Sequence, residues 1–191
     1  MCRYGRVRTL GSTPEDGPYR AVMVNMIRRV LIGAIAGTLG TLAMDLIWYR
    51  RYRSAGGSQP FLAWETAEGT ESYETAAAPA QTAKVVADFV GVELPDSSAR
   101  AVNNVVHWIT GVGWGKAHGT AAAILGTTTP LLGPVTGVVA WGTSYVVLPR
   151  LGVYKPMREY ETDVLWQDLS AHLVYGATLG VTFRLLAGRG R

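Results

Sequence analysis

Apolar positions in this chain run in four long blocks, at residues 27–49, 101–125, 131–148 and 165–187. Each is near the ~20 residues a helix needs to cross the hydrocarbon of a bilayer. The pattern predicts an all-α fold, a polytopic membrane protein with four transmembrane helices. Trp48 and Tyr49 close the first block, and Arg50, Arg51 and Arg53 follow at once. That order suits an interfacial belt and an exit from lipid. Pro134 lies near the start of the third block, where a helix has donors to spare. The second block is interrupted by Gly111, Gly113, Gly115 and Gly119, and only residues 169–183 of the fourth are free of charge. A soluble bundle of Ala/Gly-rich helices is the alternative, and four successive blocks of this length weigh against it.

Outside the blocks the chain is polar. Residues 1–26 read as a disordered basic tail, and residues 27–191 as one transmembrane domain with a long loop at 50–100. Glu65, Glu68, Glu71 and Glu74 make the first half of that loop acidic. Residues 80–92 then read as an amphipathic helix. Val85, Val86, Phe89 and Val90 group on one side of it, and Gln81, Lys84 and Asp88 on another. Such a helix lies on a membrane surface or caps a bundle. Leu94, Pro95, Asp96 and Ser97 supply a stop and a new N-cap before the second block.

Composition narrows the partners. Only 17% of the 191 residues are charged, against about 25% in soluble domains. The net charge of +4 comes from basic residues that flank the apolar blocks. That placement serves lipid headgroups, so the lipid bilayer is the expected partner and nucleic acid is not. Orientation is almost balanced, with nine Lys/Arg on the side of the two tails, counting Arg28, Arg29 and Arg184 at the block ends, and eight on the side of the two long loops. The acidic loop favours termini on the cytoplasmic side of a multi-pass protein of the cell membrane. Cys2 stands alone, which excludes an intrachain disulfide and a cysteine-rich metal site. No phosphate-binding loop, nucleophile elbow or dinucleotide fingerprint is present, so no enzyme and no cofactor are predicted.

Every block carries two glycines four residues apart: Gly33 and Gly37, Gly111 and Gly115, Gly133 and Gly137, Gly176 and Gly180. This spacing lets helix backbones touch. It predicts a tight bundle, and it equally suits a homo-oligomer or a membrane-complex partner.

The candidate chemistry lies inside the blocks. All three histidines, His107, His118 and His172, sit in apolar stretches, where an ionisable side chain is costly. The second and fourth blocks run in one direction and the first in the other. Asp45, His107, Asp168 and His172 therefore fall at similar depth near one face. Asp168 and His172 are i, i+4 neighbours, Asp45 continues the stripe of Gly37 and Thr41, and His107 lines up with Asn103, Gly111 and Gly115. These four form the candidate cluster. Proton relay, binding of a cationic or hydrogen-bonding solute, and metal binding all suit it, with no compact metal motif favouring the last. The alternative is that the side chains satisfy one another and pin the helices together. Lys116 lies across the second helix from His107, to snorkel or to face a cavity or another subunit. His118 lies deeper and reads as a packing residue.

One resemblance adds to this. Asn103-Asn104-Val105-Val106-His107-Trp108, Leu148-Pro149-Arg150-Leu151-Gly152-Val153, Lys155-Pro156 and Leu169-Ser170-Ala171-His172-Leu173-Val174-Tyr175-Gly176 together resemble the YagU-like inner-membrane proteins, a family of unknown function. The likeness covers residues 100–186 and more loosely the first block. It implies a small polytopic plasma-membrane protein and carries over no catalytic residue. The expected role is proton-linked transport or small-solute handling. A non-catalytic subunit that packs through its glycine seams is the rival.

Overall fold

A computed structural model describes residues 16–188, and every described element is helical. The elements are α1 (Asp16–Ser54), α2 (Phe61–Glu65), α3 (Ala78–Phe89), α4 (Ala99–Ile124), α5 (Leu132–Val147) and α6 (Thr162–Gly188). Single 3-10 turns at Asp96–Ser98 and Met157–Glu159 precede α4 and α6.

The long helix α1 begins at Asp16, eleven residues before the first apolar block. Residues 16–26 are therefore helix, where a disordered tail was expected, and the rest of that tail lies outside the described residues. Arg20, Ala21 and Met23 are good helix formers, and the apolar core that follows supplies a helix nucleus to extend. At the far end Arg51 and Arg53 sit in the last turn, where the helix dipole favours cations. Gly56 then takes a left-handed φ of 91° and turns the chain out.

The four long helices form one bundle. Gly33 meets Gly115, and Gly37 meets Gly111, so α1 and α4 run antiparallel. A Cβ on Gly37 would lie 2.6 Å from the Gly111 carbonyl oxygen, so only glycine permits this approach. The same device joins α5 to α6, where a Cβ on Gly133 would lie 2.6 Å from the Gly180 Cα. Helix α6 also packs along α1 on its other side, with Gly40 against the Tyr175 ring. All eight seam glycines are thus consumed within the chain.

Two adjacent arginines close one end of the bundle. Arg28 Nη2 donates to the carbonyls of Leu186 and Ala187 at the end of α6. Arg29 Nη1 donates to Ala122 O at 2.6 Å and to Thr127 O at 2.8 Å, at the end of α4. Leu186, Ala187 and Ala122 offer last-turn carbonyls that have no intrahelical partner, and Thr127 lies just past the end of α4.

The interior is narrow. Ala36, Ala122, Tyr175, Leu179, Phe183 and Ala187 form the main core. Large apolar side chains point outward on every long helix, among them Ile35, Ile109, Val135 and Val181. Two helices are long and apolar enough to cross a membrane, over Tyr19–Ser54 and Thr162–Gly188. Helix α5 is apolar but has 16 residues, and α4 has 26 residues but lower apolarity. His107, Lys116, His118 and the glycines of α4 account for that shortfall.

The segment between α1 and α4 is more ordered than a plain loop. Tyr73, Ala76, Ala80 and Ala99 make a second small core, with Leu94 and Val102 against it. The expected amphipathic helix appears as α3. Its Ala80 end is buried on α4, while Val86, Phe89, Val90 and Val92 stay exposed. Asp96 does not cap α4; its Oδ1 accepts from the Tyr73 backbone N–H at 3.1 Å. The Tyr73 hydroxyl bonds Ser98 Oγ at 2.7 Å, tying the segment to the start of α4.

Candidate functional site

Close approach of α1 and α4 builds the site. Along α1, Gly37, Thr41 and Asp45 form one stripe, four residues apart. Thr41 is fully buried and donates its hydroxyl back to Gly37 O at 3.0 Å. Asp45, the next position, meets His107 of α4. Nε2 of His107 lies 2.9 Å from Asp45 Oδ2. A carboxylate only accepts, so the ring N–H donates. Asp45 is 4% exposed, and the His107 side chain keeps a 26% exposed edge.

A third group completes the site, and it comes from the loop. Glu65 ends the short helix α2. Its side chain joins Asp45 and His107 so that one ligand atom from each lies within 4.8 Å of the others. Two anchors hold it there. Tyr49, Phe61 and Trp64 pack as one aromatic group, with ring centroids 5.1 and 5.4 Å from Tyr49. On the other side, Arg100 Nε and Asn104 Nδ2 both donate to Thr66 O at 2.9 Å. Ala67 then takes a left-handed φ of 50°, unfavourable for a residue with a Cβ. Helical periodicity could not find Glu65, since α2 is barely more than one turn. The signal present was Phe61 and Trp64 beside an acid, a short distance after Tyr49 and Tyr52.

The electrostatics of the site are unbalanced. Glu65 Oε1 is inaccessible and has no hydrogen-bond partner. Burial, and then the Asp45 carboxylate beside it, push the Glu65 carboxyl above its usual pKa, while His107 pulls it down. No described lysine or arginine forms an ion pair with Asp45 or Glu65. With both carboxyls ionised and His107 protonated, the three groups sum to a charge of −1; a proton held between the Glu65 and Asp45 carboxyls brings that sum to zero. Asn103, one turn before His107 on the same face, is 8% exposed, and its Oδ1 is also without a partner.

The other predicted pair stands apart. His172 Nδ1 lies 3.0 Å from Asp168 O and 3.3 Å from Asp168 Oδ1, all on α6. Among the described residues, no hydrogen bond or ion pair links this pair to Asp45 and His107. The four residues expected at one site therefore sit as two acid–histidine pairs, one joining two helices and one within a single helix. Tyr175 lies between them, its hydroxyl donating to Gly111 O at 2.7 Å. Aromatic residues crowd the second pair. The Tyr145 ring is 5.5 Å from Tyr154 and 5.4 Å from Tyr160. Burial, with Asp168 and Tyr160 nearby, pushes the Tyr154 phenol up to about 12.

His118 is 1% exposed. Its Nδ1 is 2.9 Å from Thr136 Oγ1, and that hydroxyl donates to Leu132 O. Thr136 has one proton to give, so His118 Nδ1 donates. The ring stands edge-on to Phe183 with centroids 4.9 Å apart. These contacts link α4, α5 and α6, and Nε2 of the ring is buried with no hydrogen-bond partner. Lys116 is exposed on the outer face of α4, away from Asp45.

No protein-family model, curated protein or solved structure matches this chain.

Proposed function

We propose that this chain is a four-span protein of the cell membrane and that it handles a small cation at Asp45, Glu65 and His107. The four long helices would be the spans, with α3 on the membrane surface through Val86, Phe89 and Val90. The termini would lie on the cytoplasmic side, the end where Arg28 and Arg29 close the bundle. Outward-facing side chains such as Ile35, Ile109, Val135 and Val181 support the lipid environment, because a soluble bundle rarely leaves so many uncovered. Kinship with the YagU-like inner-membrane proteins belongs to the same proposal and rests on the residues around His107, Pro149 and His172.

One observation carries the functional part. Buried Asp45 and half-buried Glu65 form a carboxylate pair with one oxygen orphaned, and among the described residues no lysine or arginine pairs with it. Groups that only hold helices together are expected to be mutually satisfied. A site short of positive charge is built to take up a proton or another small cation, which suits proton-linked transport or small-solute handling. The accessory-subunit reading relied on the glycine seams, and these face inward.

The test is flux into sealed vesicles that hold the purified full chain and a pH-sensitive dye. Wild-type protein dissipates an imposed pH gradient faster than empty vesicles, and folded Asp45→Asn and His107→Phe variants do not. Wild-type vesicles that match empty ones would contradict the proposal.

A further inference from the structure

We propose that the cation taken by Asp45, Glu65 and His107 is a divalent transition metal of the zinc class. This rests on the reading of the site as cation-handling and names the cation.

The donor set selects the metal. One imidazole nitrogen and two carboxylate oxygens suit zinc and its neighbours, while calcium and magnesium favour oxygen-only sites with more ligands. Ligands at about 2.1 Å from a tetrahedral ion stand roughly 3.4 Å from one another. The three ligand atoms already lie within 4.8 Å. The His107–Asp45 contact of 2.9 Å has to open slightly and Glu65 has to close in. The Glu65 side chain has three rotatable bonds, so it can close in without moving the anchored helix α2.

Charge points the same way. With His107 neutral, as a metal ligand must be, Asp45 and Glu65 contribute −2, which one dication cancels. A single proton leaves one negative charge behind. Two acceptors on or one turn from the site, Glu65 Oε1 and Asn103 Oδ1, have no hydrogen-bond donor. Three protein ligands leave a fourth position open, as in zinc sites that admit water or a substrate. The exposed edge of His107 gives that position a way in.

The experiment uses the full chain, purified in detergent and stripped with a chelator. It is titrated with Zn²⁺ and with Co²⁺, whose visible absorption reports coordination, and with Mg²⁺ as a contrast. The expected result is one Zn²⁺ or Co²⁺ per chain, a four-coordinate Co²⁺ band, and no saturable Mg²⁺ binding. Glu65→Gln keeps the size of the side chain, retains the helical signal and weakens Zn²⁺ binding by at least about tenfold. Absence of Zn²⁺ binding, or equal binding by the Glu65→Gln variant, overturns the inference. Proton flux without metal binding removes this inference alone. Neither flux nor metal binding removes the cation-handling reading as well.

Discussion

Gly37 and Gly111 meet backbone to backbone across the seam of α1 and α4, two turns along α1 from Asp45 and one turn along α4 from His107. A side-chain carbon on Gly37 would fall 2.6 Å from the Gly111 carbonyl oxygen and 2.9 Å from the Gly115 Cα. The obstacle is backbone, which cannot rotate aside. Gly37→Ala therefore forces the helices apart and costs about 1–3 kcal/mol. Gly113, on the same helix, has nothing within 4 Å of an added Cβ. Gly113→Ala should be neutral or slightly stabilising, since alanine is the better helix former. Thermal unfolding of the two variants in detergent checks the contrast.

Ala67, two residues after Glu65, is held in the left-handed region at φ 50°. Glycine adopts this conformation freely. Ala67→Gly relieves the strain and gives the unfolded chain more freedom, so the two effects oppose. The expected net change is within about 1 kcal/mol, against a clear loss for Ala67→Val, whose branched side chain fits the left-handed region worst. Denaturation midpoints of the pair separate local strain from burial as the cause.

Tyr154 gives the bundle a defined alkaline limit. Its phenol titrates at about 12 in the folded protein, raised from a usual 10. A raised folded value means that its contribution is complete below pH 10. The contribution is lost as pH rises through 12, because the unfolded chain ionises first and gains stability from doing so. Stability followed between pH 9 and pH 12 should fall steeply in wild-type protein. In Tyr154→Phe the fall should be shallower. Equal slopes would place the alkaline transition elsewhere.

Arg29 spans two carbonyl groups at the end of α4, at 2.6 and 2.8 Å. Arg29→Met keeps most of the stem and removes the donors. Its cost should be about 1–3 kcal/mol. Arg29→Lys should recover only part of this, because a single ammonium lacks the planar fork. Unfolding of both variants against wild type measures the difference.

Much of the site was legible, though unevenly. Asp45 and His107 were placed at one depth by helix direction and by the stripes Gly37–Thr41–Asp45 and His107–Gly111–Gly115, and the structure joins them. The i, i+4 spacing of Asp168 and His172 was equally readable because it is local. Their separation from Asp45 was not, since depth along a helix does not reveal which neighbour a face meets. Glu65 was hidden for a different reason. Its position depends on long-range bonds from Arg100 and Asn104 to Thr66, and a five-residue helix leaves almost no periodic trace. The same holds for Asp96, which looks like a helix cap in sequence and serves the Tyr73 backbone instead.

A site that only pins helices together and a site that awaits a cation respond oppositely to loss of one charge. Burial and the neighbouring Asp45 already disfavour the ionised form of Glu65. In chelator-treated protein at neutral pH, Glu65→Gln removes an unbalanced charge while keeping the side chain's shape. The decisive measurement is the thermal unfolding midpoint of that variant beside wild type, both metal-free in the same detergent. The account predicts that the midpoint rises by a few degrees, as ~1 kcal/mol does in a chain of this size. A fall would mean that ionised Glu65 supports the fold, and would contradict the reading of this site as one short of a cation.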